Sequence, residues 1–128
     1  MRLYFRQTNH CKTKTHHMAF HNDLGKNGEA LATGFLESKG YSIVCRNWRY
    51  AHFEIDIIAT KGKKLHFIEV KTRSSAFYGH PEDSVTKKKF RHLKRAAHEY
   101  LYLNPGHKWV QYDILAITLY KEGEPEIF

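Results

Sequence analysis

The stretch FEIDIIATKGKKLHFIEVKTR, residues 53–73, constrains the fold of this chain more than any other part of it. Two runs rich in β-branched and aromatic residues flank a short glycine-containing turn, a pattern that predicts a β-hairpin. A hairpin of a small domain keeps apolar side chains on its core face. Here Glu54, Asp56, Glu69 and Lys71 interrupt the strands at alternate positions. Side chains alternate faces along a strand, so Glu54, Asp56 and Ile58 are expected on one face, and Phe67, Glu69 and Lys71 on one face. If Lys61-Gly62-Lys63-Lys64 forms a four-residue loop, Thr60 pairs with Leu65. That register sets Asp56 opposite Glu69 and Glu54 opposite Lys71, with Cβ atoms about 4.5–5.5 Å apart.

Two carboxylates at that distance repel each other unless a cation or proton lies between them. Oxygen-rich carboxylate pairs suit Mg²⁺, with water and substrate phosphate completing its shell. Lys71 beside such a metal would orient a water or offset charge building on a phosphate. The plainer alternative is a half-exposed strand face carrying ordinary charges, with Glu54–Lys71 as a surface salt bridge. An E-x-K on a strand is common by chance. The preceding acid in compatible register, a third acid at Glu29 and the basic composition together favour the metal site.

The flanking segments supply the helices. DLGKNGEALATGFLESKG reads as an amphipathic helix, with Leu24, Gly28, Leu31, Ala32, Phe35 and Leu36 at helical spacing and Gly40 at its C-terminus. Gly28 lowers helix propensity within that stripe, so close backbone packing is expected there. Glu29 lies at the stripe's edge, either solvated or reaching under the helix toward a sheet, whereas Glu37 points to water. YSIVCRNWRY follows as a strand, then the hairpin, then a loop from Ser74 to Asp83. Ser84 is placed to cap a second helix, VTKKKFRHLKRAAHEYLYL, which Asn104-Pro105-Gly106 stops. KWVQYDILAIT is the final strand. The order helix, three strands, helix, strand predicts an α/β fold in which helices pack on a central mixed sheet.

A chain of 128 residues suits one domain. Residues 1–20 lack apolar periodicity and are expected to form a flexible basic arm, with 21–128 as the single domain. The arm's His10, Cys11, His16 and His17, with His21, match no usual zinc spacing. A formal charge of +8 favours a polyanionic partner, nucleic acid ahead of a membrane surface. No run reaches the ~18 apolar residues of a membrane helix, and the N-terminus lacks the apolar core of a secretory signal, so a cytoplasmic location is expected. Two cysteines, Cys11 and Cys45, make no disulfide framework.

Gly28-Glu29, Gly40-Tyr41, the N-x-R of Asn47–Arg49, EID at Glu54–Asp56 and EVKTR at Glu69–Arg73 resemble, in their order, the YraN-like bacterial proteins. V-x-x-x-K at Val85–Lys89 and YDI at Tyr112–Ile114 fit too, and the resemblance covers about residues 24 to 118. It implies kinship with the restriction-endonuclease-like superfamily, whose recurring site is an acid followed by D/E-x-K, and to which archaeal Holliday-junction resolvases belong. Carried over by position, Glu29, Asp56 and Glu69 match the acids that hold Mg²⁺ or Mn²⁺, and Lys71 the catalytic lysine. Two departures are visible: Ile55 stands where the superfamily often has proline, and Phe53 where close relatives usually have glycine. Neither removes a chemical group. A homodimer is implied only through the likeness to junction resolvases.

On the second helix Lys87, Lys88, Arg91, Lys94, Arg95 and His98 cluster on one face, opposite Val85, Leu93, Ala96, Ala97, Tyr100 and Leu101. Those cations, with Arg49 and Arg73, are candidate contacts to nucleic acid, or a solvated surface. Lys89 falls inside the apolar sector and is expected to point toward the sheet, where the acids are a partner for a buried lysine; snorkelling at the helix start is the alternative. Asp113 shares a face with Trp109 and Leu115 and has no assigned role. The expected activity is metal-dependent hydrolysis of phosphodiester bonds, in DNA more than RNA. A non-catalytic nucleic-acid-binding module of the same fold and an RNA-processing nuclease stay open.

Overall fold

The structure, a computed structural model, describes residues 24–74, 87–120 and 123–128, without the side chains of residues 24–27 and 74. The expected arm and the cap at Ser84 lie outside the described residues. Helix α1 (Leu24–Ser38) leads into strands β1 (Ser42–Tyr50), β2 (Phe53–Lys61) and β3 (Lys64–Ser74); helix α2 (Lys87–Leu103), β4 (Trp109–Leu119) and β5 (Glu126–Ile127) follow. The sheet runs in the order β1-β2-β3-β4-β5. Short turns make the first three strands antiparallel, and the crossover through α2 brings β4 parallel to β3. This five-stranded mixed sheet with two flanking helices is consistent with a restriction-endonuclease-like core. The unforeseen β5 is two residues long, too short for any periodicity to reveal it.

Local chemistry explains the element ends. The hairpin turn is shorter than the expected four residues, because Lys61 and Lys64 still pair and only Gly62 and Lys63 lie between them. Gly62 takes φ +59° there, a conformation glycine adopts without steric cost. Thr60 pairs with Leu65, as the register required. Gly40 (φ +88°) ends α1 while the Tyr41 amide donates back to the Leu36 carbonyl. Asn104 closes α2, donating through both its backbone N–H and its Nδ2 to the Tyr100 carbonyl.

Each face of the sheet carries its own core. Ala32 and Leu36 of α1 pack on Ile57, Ala59, Ile68, Leu115 and Ile117. Leu93, Ala96, Ala97 and Tyr100 of α2 pack on Cys45, Trp48, Ile55, Ile58, Leu65 and Phe67. Burying each large apolar side chain contributes about 1.5–3 kcal/mol. The close packing expected at Gly28 is present: a Cβ there would lie 1.9 Å from Thr72 Oγ1 and 2.9 Å from Thr72 Cβ. Asp113, without a role from the sequence, is the partner of buried His66, its Oδ2 2.6 Å from His66 Nδ1.

Three expectations need correction. Ile55 and Ile58 both enter the α2-side core, whereas Ile57 and Ala59 enter the α1-side core. Alternation therefore breaks near Asp56, and Glu54, Asp56 and Ile58 do not share a face. Opposite the break, Arg46 pairs with Ile57 and Trp48 with Ile55, while Asn47 between them has φ +52°. One left-handed residue turns the strand locally and shifts which face the next side chains meet. Cys45 is disulfide-bonded, against the expectation that the cysteines make no disulfide framework. Lys89 is exposed rather than buried, though it still reaches the site as described below. Among the described residues no helix is long and apolar enough to cross a membrane.

Candidate metal centre

The centre forms where β2 and β3 stop pairing. Their ladder runs from Lys61↔Lys64 to Ile57↔Ile68. One step beyond, Asp56 Oδ2 accepts a hydrogen bond from the Val70 backbone amide at 2.8 Å. A carboxylate thus takes the place of a ladder carbonyl and is held by a strand rather than a loop. The expected opposition of Glu54 and Lys71 is not formed, because the twist of β2 turns Glu54 away. Glu54 Oε2 instead lies 3.5 Å from Nη2 of Arg49, its cross-strand partner on β1. Lys71 Nζ lies 3.1 Å from Glu69 Oε1, two residues back on its own strand.

The same twist gathers three acids. Glu29 from α1 and Glu54 and Asp56 from β2 each offer a carboxylate oxygen, and these oxygens lie within 4.8 Å of one another. Asn47 Nδ2 donates to Glu29 Oε2 at 3.0 Å. Glu29 is therefore oriented toward the sheet, the second of the two readings its edge position allowed, and Glu37 is exposed as expected. The donor set is all carboxylate, which suits hard divalent cations. On one octahedral Mg²⁺ with ~2.1 Å bonds, oxygens stand about 3.0 Å apart in cis and about 4.2 Å in trans, so the three side chains would draw together on binding. The residues fit a divalent cation.

Electrostatics at Asp56 agrees with that fit. Its carboxyl is pushed from 3.8 up to about 7, first by burial and then by Glu69, Glu29 and Glu54, against the opposing hydrogen bond from Val70. Four acids crowd one half-buried position. Without a cation this cluster holds a proton near neutrality.

Amines border the centre from the α2 side. Burial pulls the Lys71 ammonium down, but its hydrogen bond with Lys89 and its pairing with Glu69 outweigh that and leave it above the ordinary lysine range. Lys89 is lowered, first by that hydrogen bond, then by the Lys71 charge and by burial, with Glu69 and Asp56 pulling back. Two residues on, Arg73 pairs with Thr118 in the parallel ladder. Arg73 Nε and Thr118 Oγ1 are both buried without a hydrogen-bond partner.

Farther out, Lys88, Arg91, His92, Lys94, Arg95 and His98 line a groove of about 530 Å³ along α2. The expected basic face is present there, and Lys87 is exposed beside it. Arg49 stands at the other border, beside Glu54. The structure thus places Glu29 and Asp56 together, Glu69 with Lys71, and Lys89 against Lys71. Sequence reasoning missed Glu54 as a member of the acid cluster and Asn47 as the support of Glu29. Its assumption of unbroken alternation hid both, and an asparagine inside a strand was the available signal for a left-handed residue.

A profile of the uncharacterised protein family UPF0102 matches residues 28–117. "UPF0102 protein FP2501" of Flavobacterium psychrophilum is 49% identical over 105 residues, covering 82% of this chain and 87% of that protein. A UPF0102 protein of Bacteroides thetaiotaomicron is 45% identical over 100 residues, 78% of this chain and 83% of its own. "UPF0102 protein CT2262" of Chlorobaculum tepidum is 47% identical over 106 residues, 81% of each chain.

Proposed function

The chain belongs to the UPF0102 family, the YraN-like group, and from that premise we propose that it hydrolyses phosphodiester bonds of DNA with Mg²⁺ or Mn²⁺. One observation carries the reading. A half-buried aspartate sits where two strands part, with three further acids around it and a lysine pair beside it. A purely structural surface has no reason to hold Asp56 near neutrality against three other carboxylates, which destabilises the fold unless a ligand compensates.

Asp56, Glu29 and Glu54 would hold the cation, with Glu69 close enough to act on it electrostatically. When bound, the metal supplies Lewis acidity toward a phosphate oxygen and toward water. The protein's own groups do the rest. Glu69 holds the Lys71 ammonium on one side of the centre, where it offsets charge gathering on the phosphoryl oxygens or orients the attacking water. Water adds its oxygen to phosphorus and one P–O ester bond breaks, the departing oxygen leaving with a proton. The groove along α2 supplies positive charge for the phosphate backbone outside the reacting bond. Nothing in this set reads a base edge, so the reading is of a nuclease that recognises backbone and shape.

The test is a cleavage panel of duplex, single-stranded, flap and four-way-junction DNA, with RNA alongside, in Mg²⁺ or Mn²⁺. Cleavage of DNA that chelator and Asp56→Asn both abolish is the expected result. Tight DNA binding with no cleavage of any member would instead favour a non-catalytic binding module. Preferential cleavage of RNA would move the substrate class.

A further inference from the structure

Strand β1 reaches into the acid cluster twice. Asn47 donates its side-chain amide to Glu29, and Arg49, two residues on, pairs with Glu54. Trp48 between them is buried in the α2-side core. These two contacts differ in kind. The amide bond is neutral, and it occupies Glu29 Oε2 only. The guanidinium is a charge resting on one of the clustered carboxylates, in a pair whose side chains are 62% and 38% exposed.

We propose that Asn47 and Arg49 set the cation affinity of the centre by opposite means: Asn47 aims Glu29 at the site, and Arg49 occupies Glu54 until a divalent cation displaces it. The proposal rests on the reading of the acid cluster as a metal site. Asn47 is a positioning residue. Its amide holds the Glu29 carboxylate by Oε2 and so orients it, which is how outer groups orient ligands at metal sites. Its left-handed backbone is a second contribution, because asparagine tolerates φ +52° far better than a β-branched residue would. Arg49 is a stand-in for the cation. An exposed ion pair at 3.5 Å is weak and easily displaced, whereas an acid cluster left bare is repulsive.

Calorimetric titration with MnCl₂ alone, at pH 8, separates these roles. Asn47→Gly keeps the left-handed backbone and removes only the amide. It is expected to weaken Mn²⁺ binding by about tenfold or more, the scale of outer-shell losses. Placed in a Glu29→Gln background, the same change is expected to cost less than about twofold, since its target carboxylate is gone. Arg49→Gln is expected to strengthen Mn²⁺ binding by about two- to fivefold, the range of an exposed ion pair. An unchanged affinity in Asn47→Gly, or an equal loss with and without Glu29, overturns the role of Asn47. Unchanged or weaker binding in Arg49→Gln overturns that of Arg49, and this sign alone decides the proposal if Asn47→Gly does not fold. A parent protein that binds no Mn²⁺ removes both the metal reading and this inference. A parent that binds and loses binding in Asp56→Asn, with both β1 variants unchanged, removes the inference alone.

Discussion

Helices α1 and α2 cover opposite faces of one sheet and are fastened to it differently. Helix α1 is pressed down through a glycine. Gly28 stands so close to Thr72 that no side chain fits between them, and this places the next residue, Glu29, within reach of the acids on β2. Helix α2 buries a stripe of Leu93, Ala96, Ala97 and Tyr100 and keeps its outer face crowded with cations. Like charges at i,i+4, such as Lys87–Arg91 and Arg91–Arg95, cost a helix a few tenths of a kcal/mol each and bring it nothing in isolation. The lesson is a division of labour. The tightly seated helix delivers one group accurately, and the loosely bordered one delivers a field. The site lies between them because β2 and β3 part at Asp56 and open the sheet to both sides.

The largest way to break this comparison is through the amine on the α2 side. Lys71→Ala is expected to lower turnover by ~10² or more, the scale for removing a charge that stabilises a transition state. DNA affinity should fall far less, because one phosphate contact is a small part of the total. Equal losses in the two would mark Lys71 as a backbone anchor and assign the α2 side to binding only.

Next comes the seat of α1. Gly28→Ala drives a Cβ into Thr72, whose own Cβ at 2.9 Å cannot rotate away, and is expected to destabilise by about 1–3 kcal/mol. Gly34 in the same helix has nothing within 4 Å of its missing Cβ. Gly34→Ala is therefore expected to stabilise by up to ~1 kcal/mol through helix propensity. Thermal melts of the two variants should move in opposite directions. A shared direction would mean that contact with β3 does not set the position of α1.

Much of this was legible beforehand, for physical reasons. Helical spacing of Leu31, Ala32, Phe35 and Leu36, the Thr60–Leu65 register and the capping glycine follow from local chemistry that nothing distant overrides. Asp56, Glu69 and Lys71 stood out in the sequence because charged residues inside an apolar hairpin demand partners. Glu54 escaped because a single left-handed residue on the neighbouring strand changes which face it meets. Strand periodicity cannot report a twist imposed across a ladder. Lys89 was expected to be buried from its angle on the helix, but it stays exposed and its long stem lets it reach toward Lys71.

A smaller effect sharpens the role of the α2 face. The Lys88/Arg91/Arg95 triple alanine should flatten the slope of log K against log salt by about two to three, at ~0.9 per lost contact to duplex DNA. Binding should weaken regardless of sequence, and melting temperature should hold or rise slightly as repulsion is relieved. A parental slope would move the DNA path off α2.

A last effect is on stability against pH in metal-free buffer. Asp56 gives up its proton at about 7 in the fold and at 3.8 unfolded, so between those values the folded state holds more protons. Stability from this group is therefore lost as pH rises from about 4 to about 7, and the cost is constant above. Asp56→Asn should flatten that slope and melt several degrees above the parent at pH 8 with chelator present. An identical pH profile would mean that Asp56 is not the proton holder of the cluster.

The central claim is that Glu29, Glu54 and Asp56 form one divalent-cation site across the split in the sheet. Mn²⁺ titration by calorimetry, comparing the parent with Asp56→Asn at pH 8, tests it most directly. The account predicts saturable binding by the parent, a melting temperature raised by the metal, and loss of both in Asp56→Asn with its fold intact. Equal Mn²⁺ binding by the two proteins would contradict it.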